Sequence, residues 1–114
     1  MCVKIFEDAL ARQLQELLKD CDCVRFSDEY WYKFTRKAVT KKRAIMEVCA
    51  ASGIKPTEIA AFGDDYADIG MLQFCGIGIA MGNAIDAVKE TADFVIGSND
   101  EDGIAKYLER DVLF

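Results

Sequence analysis

Histidine is absent from this chain, proline occurs once, and no apolar run approaches the roughly 20 residues needed to span a bilayer. Without histidine, and with no second close cysteine pair beside Cys21 and Cys23, a structural zinc site is disfavoured. The single proline, set against 52% hydrophobic residues, argues for a packed soluble fold over a disordered one. The opening "MCVKIFEDAL" lacks the apolar core of a signal peptide, which places the expected location in the cytoplasm. The five cysteines, Cys2, Cys21, Cys23, Cys49 and Cys75, are odd in number, as suits reduced thiols better than a disulfide framework. Internal repeats and low-complexity linkers are also missing.

Positive charge is scarce. A net charge of −6 disfavours a general nucleic-acid or anionic-membrane binder, because both need a positive field. What basic charge there is clusters, with Lys33, Arg36, Lys37, Lys41, Lys42 and Arg43 making six of the fourteen basic residues. A solvated basic face is the ordinary reading for most of them. At 114 residues the chain suits one compact domain with a modest core.

What is present divides into two patterns. The first reads strand, helix, strand, strand: "CVKIF", a helix from about Ala9 to Lys19 capped by Asp8, then "CVRFS" and "YWYKFT" as antiparallel strands joined around Asp28 and Glu29. Leu10, Leu14, Leu17 and Leu18 form the expected core stripe of that helix. From Thr40 onward helices and strands alternate, the signature of a layered α/β fold with parallel strands. Thr40 caps a helix that Gly53 ends, "EIAAF" is a strand, and a short helix runs through Met71 and Leu72. "GIGIA" is the next strand and is followed by a helix from about Ala84 to Glu90. "DFVIG" is the last strand, and "DEDGIAKYLER" the last helix, with acids in its first turn and Arg110 near its end. The change of pattern falls near Arg36 to Val39.

The chemistry concentrates in "AAFGDDYAD", where Asp64, Asp65 and Asp68 crowd the carboxyl end of an expected parallel strand, the place where such sheets bind ligands. Asp64 and Asp68 lie one helical turn apart, and their oxygens suit Mg²⁺. An EF-hand loop fails here, since Tyr66, Ile69 and Cys75 would stand at its third, sixth and twelfth positions. A bland reading, a helix cap, accounts for one of the acids better than for three. Lys41, Lys42 and Arg43 oppose the dipole of the helix they begin, at roughly a few tenths of a kcal/mol apiece, unless an anion is near. A lysine beside the spare N–H groups of a helix start suits phosphate. In "GIGIAMGNA", Gly82 allows close backbone approach and Asn83 offers both donors and an acceptor; an ordinary turn with Asn83 as a cap is the competing reading.

In their order and spacing, "VTKKRAI", "GDDYAD", "AMGNA" and "SNDEDGIAKYLE" resemble the C-terminal half of the haloacid dehalogenase-like (HAD) superfamily, specifically the Cof-type subfamily IIB sugar-phosphate phosphatases. The resemblance runs from about Val39 to Glu109. It implies a partial HAD-like Rossmannoid parallel sheet over residues 38–114, preceded by a small α+β cap remnant over residues 1–37. By the same resemblance Lys41 neutralises nucleophile and phosphate, Asp64 is the Mg²⁺ ligand, Asp68 supports metal and lysine, and Asn83 is the loop asparagine. The family has asparagine before the second acid, where this chain has Ala67. Its nucleophile sits in an Asp-x-Asp motif that ends a buried strand, whereas Asp20-Cys21-Asp22 follows an amphipathic helix and lies close to Lys41. The expectation is thus a fragment of a Mg²⁺-dependent phosphatase of small phosphate esters, inactive alone, with a homo-oligomer or a complementary N-terminal half as partner. The alternative is a non-catalytic metal-binding or interaction module. A response-regulator receiver is disfavoured because the lysine precedes the acids.

Overall fold

The computed structural model describes residues 1–26 and 29–113. The N-terminal part is a three-stranded antiparallel sheet of β1 (Cys2–Lys4), β2 (Cys21–Arg25) and β3 (Trp31–Arg36), in the order β1-β3-β2. β2 and β3 pair from Cys21↔Arg36 to Arg25↔Tyr32. Helix α1 (Asp8–Leu17) covers one face, where Ile5, Ala11, Tyr32 and Phe34 form a small core. Of the expected β2–β3 turn, Asp28 lies outside the described residues, while the Glu29 N–H donates to the Phe26 carbonyl at 3.1 Å.

Two expectations for α1 change. The cap position is Glu7, with no side-chain bond to the helix, and Asp8 is already helical. The Asp8 carboxylate turns to the sheet, where it accepts from the Tyr32 hydroxyl and pairs with Arg25 at 3.8 Å. The inward stripe is Ala11, Leu14 and Leu18, not the four leucines: Ala11 is 4% exposed, whereas Leu10 and Leu17 are 48% and 79% exposed. The larger side chains on the sheet, Tyr32 and Phe34, fill the space beneath the helix, so an alanine sits closest.

The connection from β3 to α2 (Lys41–Ser52) spans residues 37–40 and holds Ala38 at φ 66°, in the left-handed region. Thr40 Oγ1 accepts from the Arg43 N–H at 3.1 Å, and Gly53 closes α2 at φ 74°, as the sequence leads one to expect. Beyond it lies a three-stranded parallel sheet, β4 (Ala60–Gly63), β5 (Ile77–Ala80) and β6 (Phe94–Val95), in that order. The crossovers are α3 (Ile69–Phe74) and α4 (Asp86–Thr91). Alternation along the strands sends Ala61 and Ala80 toward a core completed by Leu72, Cys75, Met81, Ala84 and Val88.

The last helix is shorter than expected. Asn99–Glu101 make a separate 3₁₀ turn tied by Glu101 to the Ser98 N–H at 2.9 Å. Helix α5 starts at Gly103 and passes into a π-turn at Leu108–Val112, in which Arg110 pairs with Asp111 at 2.6 Å. The five cysteines are free thiols, with Cys49 and Cys75 buried. Among the described residues, no helix is long and apolar enough to cross a membrane.

Candidate active site

Strand β4 ends at Gly63, and the chain then folds back on itself. Asp65 opens a 3₁₀ turn (Tyr66–Asp68) by accepting from the Tyr66 N–H at 2.7 Å. That turn places Asp68, 3% exposed, over the strand end, where its Oδ2 accepts from the N–H groups of Asp64 at 2.9 Å and Asp65 at 3.2 Å. Gly63 makes this possible, because a Cβ there would stand 2.5 Å from the Cβ of Asp68. The other oxygen of Asp68 accepts from Lys41 Nζ at the start of α2. The fold therefore joins Lys41 and Asp68, 27 positions apart in sequence, and supplies the anion that offsets the unfavourable dipole at the start of α2.

The pKa values of the two carboxylates are shifted in opposite directions. Burial would raise the pKa of Asp68, but the hydrogen bond from Lys41 and those from the Asp64 and Asp65 amides outweigh it and hold the group below its ordinary value. For Asp64, burial comes first and the neighbouring Asp68 charge second, and together they push its pKa up. Asp64 is thus a carboxylate held at some cost to its charge, on a residue that remains exposed. A divalent cation would relieve that cost, and Mg²⁺ takes one or two protein carboxylates and completes its shell with water and substrate oxygens. The donor set suits that mode: Asp64 is available, while Asp68 is occupied by Lys41 and two amides. Among the described residues there is no group of three or more acidic or cysteine side chains that would cage a metal by itself.

Asn83 lies after β5, exposed, with its Oδ1 accepting from the Asn99 N–H at 3.0 Å. It does not cap α4, whose cap position is Ile85. Its bond joins the loop after β5 to the loop after β6, both at the carboxyl end of the sheet. Lys42 and Arg43, the other cations of the α2 start, point elsewhere: Lys42 lies over the Phe74 ring and Arg43 pairs with Glu47 at 3.7 Å.

A cavity of about 510 Å³ opens between this strand end and the antiparallel sheet. Thr40, Lys41 and Ala67 line it on one side, and Asp22, Lys33 and Thr35 are among the residues opposite. The sequence reading did not single out Asp22 or Lys33 as site residues. The signal was there in the period of two: Asp22 pairs with Thr35 and Val24 with Lys33, so all four share the sheet face away from α1.

The sequence profile described as haloacid dehalogenase-like hydrolase matches residues 3–108. The 5-amino-6-(5-phospho-D-ribitylamino)uracil phosphatase YcsE of Bacillus subtilis (strain 168) is 43% identical over 75 residues, 66% of this chain and 30% of that protein. Two solved structures are similar to the fold. The HAD subclass IIB sugar phosphatase BT4131 has TM-score 0.80 and 35% identity, over 90% of this chain and 39% of that one. The HAD phosphatase BT1666 of Bacteroides thetaiotaomicron has TM-score 0.84 and 31% identity, over 95% and 40%. The chain thus spans less than half the length of these relatives. With an α/β fold whose parallel sheet matches these structures, and a family match over nearly its whole length, this chain belongs to the haloacid dehalogenase-like hydrolases and is related to their Cof-type members.

Proposed function

We propose that this chain carries the lysine and acid portion of a Mg²⁺-dependent phosphatase site for small phosphate esters. The observation that carries the reading is the Lys41–Asp68 pair, buried at the Asp68 end and locked to the backbone of Asp64 and Asp65. Lys41, with its side chain 58% exposed, still presents its ammonium toward the cavity. There it can offset phosphate charge while Asp68 holds it in place. Asp64 would hold Mg²⁺, which supplies charge neutralisation at a phosphoryl oxygen when bound. Asn83, through Asn99, keeps the neighbouring loop in register.

The nucleophile is the part that these residues do not provide. Asp20-Cys21-Asp22 enters the antiparallel strand β2, and Asp100-Glu101-Asp102 lies in the turn before α5, so neither motif directly ends a parallel strand. We therefore expect negligible turnover by the chain alone, with full activity needing a carboxylate from a complementary N-terminal half. Among the described residues β4 is an edge strand, and this supports such a partner, or a second copy of the chain, because an open edge exposes unpaired backbone groups. A second reading, a non-catalytic metal-binding or interaction module, is favoured by Ala67, which lines the cavity where the resembling enzymes have asparagine.

Two measurements decide between them. Titration calorimetry with Mg²⁺ should show weak binding that Asp64→Asn abolishes, and equal heats from both proteins would remove Asp64 from the site. A phosphatase assay with Mg²⁺ should show no turnover by the chain alone. Turnover that Asp64→Ala abolishes would mean that the chain already contains its nucleophile.

A further inference from the structure

A cavity of about 380 Å³ lies against β6, and it shares no lining residue with the one at Lys41. Two stretches of chain wall it. Val95, Ile96 and Gly97 come from the end of β6 and the loop after it, while Lys106, Tyr107 and Arg110 come from α5 and the π-turn that follows. Hydrogen-bond donors outnumber acceptors in the lining. Among the described residues Lys106 has no hydrogen bond or ion pair, and neither the Tyr107 hydroxyl nor the Gly97 N–H has an acceptor. Arg110 directs Nε and one terminal nitrogen to Asp111, at 2.8 and 2.6 Å, which leaves its other terminal nitrogen. The one acid in the lining is Glu101, whose Oε2 accepts from the N–H and the hydroxyl of Ser98 at 2.9 and 3.1 Å. Those bonds hold its pKa below the ordinary carboxylate value, so it stays ionised.

We propose that this cavity binds a small monocarboxylate with a ring-sized apolar body. The carboxylate lies at Lys106 and Arg110, and the body packs against Val95, Ile96 and the Tyr107 ring. Charge selects the anion. Lys106 and Arg110 set against Glu101 leave one positive charge in the lining, which a single carboxylate matches, whereas a phosphate dianion exceeds it and meets the fixed charge of Glu101. A planar carboxylate also suits the guanidinium of Arg110, whose orientation is already set by Asp111. Shape selects the body. Val95 is 53% exposed and Ile96 half-buried, so an apolar ligand would remove their surface from water. The Tyr107 ring is held edge-on to Phe62, with centroids 5.9 Å apart, and gives the body a preformed wall. At about 380 Å³ the cavity stands near the lower end of small-molecule sites, which suits a ligand of one ring.

Phenylacetate is the probe, titrated into the full chain beside acetate, benzyl alcohol and inorganic phosphate and followed by backbone amide shifts. It should move the Gly97 and Lys106 amides and leave those of Thr40 and Lys41 in place, with a Kd of about 1 mM, as its size allows. Acetate, which lacks the ring, and benzyl alcohol, which lacks the charge, should each bind about tenfold more weakly. Lys106→Gln, at an exposed helical position, should weaken phenylacetate about fivefold, while Lys19→Gln, a cation outside the cavity, should not change it. Benzyl alcohol that binds as tightly as phenylacetate overturns the proposal, because the donors then take no anion. Inorganic phosphate that moves the Gly97 and Lys106 amides as strongly as phenylacetate overturns it too, since the lining would then select neither charge nor body. So does unchanged binding in Lys106→Gln, once circular dichroism shows that the variant is folded. Phenylacetate shifts that are absent by about 10 mM, or confined to Thr40 and Lys41, are equally decisive against it.

Discussion

The two sheets of this chain each have three strands, yet they are stabilised differently. The antiparallel sheet has one helix on one face, with a core of four buried residues between them, and its other face lines a cavity. The parallel sheet holds α2, α3 and α4 against a core nearly twice as large, with Ile79 and Val88 fully enclosed. The smaller unit makes up about the first third of the chain, below the size at which a hydrophobic core alone suffices. We therefore expect it to depend on the larger unit more than the larger unit depends on it. The end of the parallel sheet holds the acids beside Lys41, and the antiparallel sheet supplies the wall that faces them.

The strongest way to break this comparison is to unload the smaller core. Phe34→Ala should cost about 3–5 kcal/mol, more than that half can lose and stay folded. Trp31, the single tryptophan, lies in β3 and reports on this half alone. Its fluorescence should show an unfolded environment in Phe34→Ala while far-ultraviolet circular dichroism retains the helices of the parallel half. Loss of both signals in one transition would mean that the halves fold as one unit.

The next test moves to the sheet end. Gly63→Ala puts a methyl group against the Asp68 Cβ, and both sit in tightly held backbone, so the chain cannot shift cheaply. A cost of about 2–3 kcal/mol is expected in urea unfolding. Gly53→Ala is the control: nothing lies within 4 Å of its added Cβ, and only the left-handed φ of 74° opposes it, so it should cost about 1 kcal/mol. A smaller loss at Gly63 than at Gly53 would show that the Asp68 turn is not held as closely as described.

These tests also mark what was legible from sequence. The parallel half was read well because its strands are short apolar runs that end in charged or glycine-rich loops, and Thr40 and Gly53 mark the limits of α2 through purely local chemistry. The leucine stripe of α1 holds for Leu14 and Leu18 but not for Leu10 and Leu17, because periodicity allows more than one face and the bulk of Tyr32 and Phe34 on a neighbouring strand decides which face is buried. Lys41 and the acids were visible as residues, but the bond from Lys41 to Asp68 crosses 27 positions and depends on the turn at Gly63. The cavity wall was readable in principle from strand alternation. What the sequence could not show was that this face is opposed by the start of α2 instead of by water.

A third prediction uses the pH dependence of Asp68. Its folded pKa is depressed, so its stabilising contribution is present above the unfolded value of about 3.9 and is lost as pH falls through the folded value. The stability difference between wild type and Asp68→Asn, measured without metal, should be constant near neutrality and shrink below about pH 4. Because Lys41 is largely exposed, the difference should be about 1–2 kcal/mol, less than for a fully buried pair. A difference that grows on acidification would reverse the assignment.

The smallest expected effect has the opposite sign. Asp64 has its pKa raised by burial and by the charge of Asp68, so as pH rises from the unfolded pKa through the folded one, the chain loses stability there. Asp64→Asn removes that repulsion and keeps the shape of the side chain. In metal-free buffer at pH 7 it should therefore be slightly more stable than wild type, by well under 1 kcal/mol once solvent screening at this exposed residue is counted. Adding Mg²⁺ should reverse the order, since only the carboxylate gains from the cation and ligand binding stabilises the folded state by mass action. Thermal unfolding of both proteins with and without millimolar Mg²⁺ gives the four values needed. A variant that is less stable without metal would show that Asp64 supports the fold through its charge. A variant that gains as much from Mg²⁺ as wild type would place the cation elsewhere. The crossover between the two conditions is what a carboxylate held for ligand binding at the expense of stability must show.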